Sequence, residues 1–188
     1  MSSTDDLGPA LLVRARNAIA SVFLLPALDE PMHPALAKPG ATFVTLRCGG
    51  KLRGCVGTLI AVRALDADVR HAAYSAAFTD PRFLPLRADE YPSLCIEVSV
   101  IGASTTLPAA NEAEARVALR PFIDGVTLRW RGNGATLLPQ VWKNLPQPEE
   151  FLAALKQKAG LPADFWADDI ELSRYSVVHF DETTGVLQ

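Results

Sequence analysis

Residues 41 to 59 read ATFVTLRCGGKLRGCVGTL: two alternating runs joined by Gly49 and Gly50. That pattern specifies a β-hairpin, and a hairpin commits the chain to antiparallel sheet. A two-residue loop would put Cys48 opposite Lys51 and Leu46 on one face with Arg53, mixing core and solvent. A three-residue loop closing in a glycine bulge instead places Val44, Leu46, Leu52 and Val56 on one face, with Thr45, Arg47, Lys51, Arg53 and Cys55 on the other. The bulged register is therefore expected, with Cys55 on the polar side. Gly54 and Gly57 require a local cause, because glycine in a strand packs nothing and loses the most backbone freedom on ordering.

The remaining pattern predicts helices and further strands without regular strand-helix-strand alternation. Leu11, Ala15, Ile19 and Val22 keep a helical period behind caps at Ser3, Thr4, Asp5 and Asp6, with an end near Pro26. Residues 26 to 41 hold four prolines and read as a surface loop. A second helix carries the stripe Leu65, Val69, Ala72 and Ala76 and stops before Pro81. LCIEVSVI alternates as a half-buried strand, NEAEARVAL is a short helix, and GVTLRW with ATLLP forms a second hairpin turned by Gly132 and Gly134. PEEFLAALKQKAG has Pro148 and acids early, lysines late and Gly160 past its end, and IELSRYSVVHF closes as one strand. The fold class expected is α+β, a mainly antiparallel sheet flanked by helices with a smaller lobe, as a single domain over 1–188 with room for a small subdomain.

Eighteen basic and 21 acidic residues leave a net charge of −3, which disfavours nucleic acid as a partner. No stretch reaches the roughly 18 apolar residues of a membrane span. The acidic start MSSTDDLGPALL is not a signal peptide, and three cysteines without close pairing fit reduced thiols, so a cytoplasmic location is expected.

Cys55 is the sharpest candidate for chemistry. A thiol attacks as the thiolate, and Arg53, two positions along and roughly 6 to 7 Å away by strand rise, is the expected activating cation. Gly54, Gly57 and Thr58 would present backbone N–H and hydroxyl groups to a ligand. The competing reading is structural: free cysteine is commonly buried, and glycines in strands often mark close packing against a helix such as the one bearing Ala72 and Ala76. No histidine is set beside Cys55 by spacing; of His33, His71 and His179, His71 is the preferred base. In FTDPRF, Asp80 and Arg82 read either as a helix stop with a local ion pair or as the rim of a cleft. Gln140 is a candidate ligand contact, whereas Trp142 is expected in the core. Neither a CxxC nor a histidine pair marks a metal site, and no cofactor motif is present.

LRGCVGTL, AAFTDPRFLPL, IEVSVI, LLPQVW and KAGL, in that order between Thr42 and Phe180, resemble the AMMECR domain family, whose prokaryotic members are called AmmeMemoRadiSam system protein A. Val56 stands where isoleucine is more usual. The resemblance implies an α+β fold with a smaller lobe and a pathway link to Memo-like and radical SAM proteins. It maps the family signature onto Leu52 to Thr58 without supplying a reaction. Two functions follow as alternatives: an enzyme using Cys55 as nucleophile or redox thiol with Arg53, or a non-catalytic module binding a protein or small anionic ligand through the same hairpin.

Overall fold

The computed structural model describes residues 6–182. The chain divides into two compact units, Met1–Ile101 with Val178–Gln188, and Gly102–Val177.

The first unit is built on a sheet in the order β2-β1-β4-β9, where β1 is Pro39–Cys48, β2 Lys51–Gly57, β4 Leu94–Ile101 and β9 Val177–Asp181; a two-residue β3, Arg63–Ala64, also pairs with β1. Two helices, α1 (Leu7–Ala20) and α2 (Leu65–Phe78), pack with one face of this sheet. Their stripes enter one core: Leu11, Ala15 and Ile19 from α1, and Val69, Ala72 and Ala76 from α2, meet Val44, Leu46, Ile96 and Val98. Alanines on α2 keep the helix close to the strands, since they add little bulk between backbones. The helix α1 passes into a 3-10 turn at Ser21–Phe23, so Val22 leaves the stripe and is 45% exposed. The expected caps Ser3, Thr4 and Asp5 lie outside the described residues, and Asp6 caps the helix without a side-chain hydrogen bond.

The proline-rich loop is tied down by polar contacts. Asn17 brackets Leu28, donating to its carbonyl and accepting from its N–H at 2.9 Å each. The buried Arg14 donates to the Pro31 carbonyl at 2.7 Å and to Asp66 at 2.6 Å. Glu30 accepts from Arg70 and from Asn17, and the Arg70 hydrogen bond holds its carboxyl down to about 2 against the opposing effect of burial. A carboxyl depressed on folding contributes stability above its ordinary value of 4.5, and that contribution is lost as pH falls from there toward 2. Hydrogen exchange of residues 26–33, corrected for its intrinsic pH dependence, is therefore expected to stay slow at pH 6 and accelerate through this window. Glu30→Gln should flatten the dependence, and an unchanged profile in that variant would remove Glu30 as the cause.

The second unit has a sheet in the order β5-β8-β6-β7, with β5 Thr105–Thr106, β6 Gly125–Trp130, β7 Asn133–Leu137 and β8 Glu171–Tyr175. Its helices α3 (Glu112–Ala118) and α4 (Pro148–Lys158) supply Ala115, Phe151, Leu152 and Leu155 to a separate core with Val126, Leu128 and Leu172. Trp142 is fully buried, stacked on Phe151 at 3.8 Å between ring centroids, with its indole N–H donating to the Asp124 carbonyl at 2.7 Å. The fold is α+β with antiparallel pairing. Two expectations change in detail. The second hairpin turns at Arg131 and Gly132, leaving Gly134 inside β7. The closing strand is interrupted at Ser176, so that ELSRY joins one sheet and VVHFD the other.

Candidate functional site

The hairpin turn holds two residues, Gly49 at φ +56° and Gly50 at φ +76°, and closes on Cys48 opposite Lys51. This corrects the expected three-residue loop: left-handed φ at both positions is what a tight hairpin turn requires, and two glycines supply it freely. The bulge lies within β2 instead, where Leu46 faces Gly54 but Arg47 faces Leu52, leaving Arg53 as the extra residue. Leu52 is thereby turned off the core face and is 40% exposed. Cys55 pairs with Thr45 on the face away from α1 and α2, half-buried.

The glycines are explained by what approaches them. A Cβ on Gly54 would stand 2.0 Å from the Ala76 carbonyl oxygen, so α2 rests directly on the strand. A Cβ on Gly57 would fall 2.2 Å from the Thr42 carbonyl oxygen and 2.5 Å from the Phe43 ring. Both positions are covered by protein rather than left open beside the thiol. Thr58 donates its N–H to the Thr42 carbonyl, and its hydroxyl is engaged with Ile60 in a local turn.

Arg53, displaced by the bulge, donates to Glu90 from Nε at 2.7 Å and from Nη2 at 3.0 Å. That hydrogen bond raises the guanidinium pKa further and holds the Glu90 carboxyl down to about 2. The cation that meets Cys55 is Arg82. Asp80, 4% exposed, accepts the Cys55 N–H at 2.9 Å, the Arg82 N–H at 3.1 Å and the Arg82 side chain at 2.9 and 2.7 Å. Arg82 Nη2 also donates to the Cys55 carbonyl at 3.1 Å. Because β2 is an edge strand, this pair completes both backbone hydrogen bonds that Cys55 would otherwise leave open. The Arg82 hydrogen bond holds the Asp80 carboxyl well below the usual carboxylate range. With four donors on it, Asp80 orients the Arg82 side chain and the Cys55 backbone. Arg82 is about half exposed, and its Nη1 makes no hydrogen bond among the described residues.

Thr45 donates its hydroxyl to Cys55 Sγ at 3.4 Å. Glu97 lies opposite Thr45 on β4, and His179 on β9 contacts Ser99 Oγ at 2.9 Å and Glu97 at 3.6 Å through Nδ1. Three strand spacings of about 4.8 Å separate β2 from β9, which puts His179 beyond proton-transfer reach of Cys55. His71 is exposed on α2, whose packed face meets the other side of the sheet, and His33 accepts from Ala35 N–H in a 3-10 cap. The preferred base, His71, is thus on the wrong side of the sheet. Gln140 is exposed on the 3-10 turn Pro139–Lys143 of the second unit. Sequence reasoning selected Asp80 and Arg82 and placed Thr45 on the face of Cys55, but missed Glu90, which carries no local signal and is recruited to Arg53 from far along the chain.

No helix among the described residues is long and apolar enough to cross a membrane. In comparison with known proteins, the chain is 35% identical over 189 residues to protein LS215_2104 of Saccharolobus islandicus, covering 95% of this chain and 83% of that one. A protein of Aeropyrum pernix is 36% identical over 190 residues, covering 95% and 80%. The crystal structure of the uncharacterized protein PH0010 from Pyrococcus horikoshii superposes with a TM-score of 0.79 at 30% identity, covering 97% of this chain and 94% of that one. The AMMECR1 family model matches residues 12–180, a span that includes the LRGCVGT strand, the Asp80–Arg82 loop and both sheets, and the chain belongs to the AMMECR1 family.

Proposed function

We propose that the sheet surface at Cys55 binds a small anionic group, with Arg82 as the contacting cation and the thiol beside it. The observation that carries this reading is the half-exposed Arg82 guanidinium, held by Asp80 through Nε and Nη2 and set over the Phe83 ring, with no hydrogen bond from Nη1 among the described residues. A pre-oriented guanidinium of this kind suits carboxylate or phosphate recognition. It replaces Arg53, whose charge is already matched by Glu90. Iodoacetamide labelling located by mass spectrometry provides the test: inorganic phosphate is expected to slow modification of Cys55 in the folded protein, and Arg82→Ala to abolish that protection. Equal labelling with and without phosphate would end this reading.

A second reading, an enzyme in which Cys55 is nucleophile or redox thiol acting with Memo-like and radical SAM partners, is favoured by the Thr45 hydroxyl donating to Sγ. A donor on sulfur stabilises the thiolate. Thr45→Val should then slow Cys55 alkylation at fixed pH. An unchanged rate would favour the non-catalytic module, for which Cys55→Ser leaves anion binding little changed.

A further inference from the structure

The two hairpins use the same turn with different chemistry. In the first unit both left-handed positions are glycine, whereas between β6 and β7 they are Arg131 at φ +43° and Gly132 at φ +87°. A side chain at left-handed φ crowds its own backbone, so a nonglycine residue there calls for a compensating role. Arg131 is 69% exposed, with its guanidinium over the Trp130 ring at 5.0 Å and its Nε on Asp169 at 3.1 Å. The same carboxylate accepts the Trp130 indole N–H at 2.7 Å, and Phe165 packs on the indole at 4.6 Å between centroids. Asp169 thus holds the aromatic ring and the guanidinium in one orientation, and those two hydrogen bonds keep its carboxyl below the ordinary value.

Those contacts leave Nη1 and Nη2 of Arg131 without hydrogen bonds among the described residues, and the Arg129 side chain makes no hydrogen bond or ion pair there. Both arginines line a cleft of about 580 Å³ together with Trp130, Asn133, Asp169 and Glu171. That volume lies within the range of small-molecule sites. From the strained turn, the anchored guanidinium and the unpaired Arg129 beside it, we infer that this cleft of the second unit is an oxyanion site, taking the phosphate or carboxylate group of a small molecule between Arg131 and Arg129. It is independent of the surface at Cys55.

The Trp130 indole N–H, identified in a proton–nitrogen spectrum by Trp130→Phe, reports on the cleft. Titration of the full chain with inorganic phosphate or acetate at fixed pH is expected to move this resonance to saturation. Sodium chloride at matched ionic strength should not. Saturation by phosphate alone points to a phosphate ester as ligand, and by acetate alone to a carboxylate; Arg82→Ala should leave either response intact. Arg131→Gly relieves the turn, so it should keep or raise the melting temperature while weakening the response at least about tenfold, as expected for loss of a charge-assisted contact. An equal response to chloride, an undiminished response in Arg131→Gly, or a marked drop in its melting temperature would each overturn the site, the last by showing that Arg131 is there for the fold.

Discussion

Gly54→Ala is expected to destabilise the protein by about 3 kcal/mol or more, at or beyond the top of the usual range for overpacking. The added methyl would stand 2.0 Å from the Ala76 carbonyl oxygen, a backbone atom that moves only if α2 lifts from the sheet. Lifting α2 would loosen Val69, Ala72 and Ala76 in the same core, so relief at one point opens gaps along the helix. Gly49→Ala is the matched control. It has open space around it but a φ of +56°, and should cost about 1–2 kcal/mol through backbone handedness alone. Urea unfolding of the two variants compares contact with conformation. A loss at Gly54 no larger than at Gly49 would mean that the helix yields and that close approach is not why glycine is needed.

Asp80→Ala should cost about 2–3 kcal/mol, because it strands the Cys55 N–H at the sheet edge and leaves Arg82 without its counter-charge. Since Arg82 is half exposed and keeps access to water, the loss stays below that of a fully buried broken pair. The pH dependence supplies a second readout. Arg82 depresses the Asp80 carboxyl on folding, so its contribution is present above the ordinary value of 3.8 and declines as pH falls below it. The stability gap between wild type and Asp80→Ala should accordingly narrow at low pH. A gap that is constant from pH 7 to pH 3 would assign the loss to packing instead of charge. Asp80→Asn, which keeps an acceptor for Cys55 N–H, should fall between the two.

The edge position of β2 makes this pair more than a helix stop. An exposed strand edge offers unpaired backbone groups to any extended chain. At Cys55 a carboxylate substitutes for a neighbouring carbonyl and a guanidinium for a neighbouring N–H. The same two side chains therefore close the sheet edge, and Asp80 orients Arg82 beside Cys55.

Elements whose cause is local were legible in the chain itself. The stripe Leu65, Val69, Ala72, Ala76 defined α2, the alternation from Leu94 to Val98 defined β4, and Pro148 with Gly160 bounded α4, because periodicity and caps act within a few residues. The signature LRGCVGT likewise identified the strand, the face of Cys55 and the family. Tertiary structure decided the rest. The bulge moved from the turn to Arg53 when Gly54 had to meet Ala76, a contact between residues 22 positions apart in sequence. That shift assigned Arg53 to Glu90 and left Arg82 for Cys55, exchanging two arginines that sequence spacing alone could not tell apart. Partner choice among charged side chains depends on distances of a few ångströms across the fold, and no periodicity along the chain encodes them.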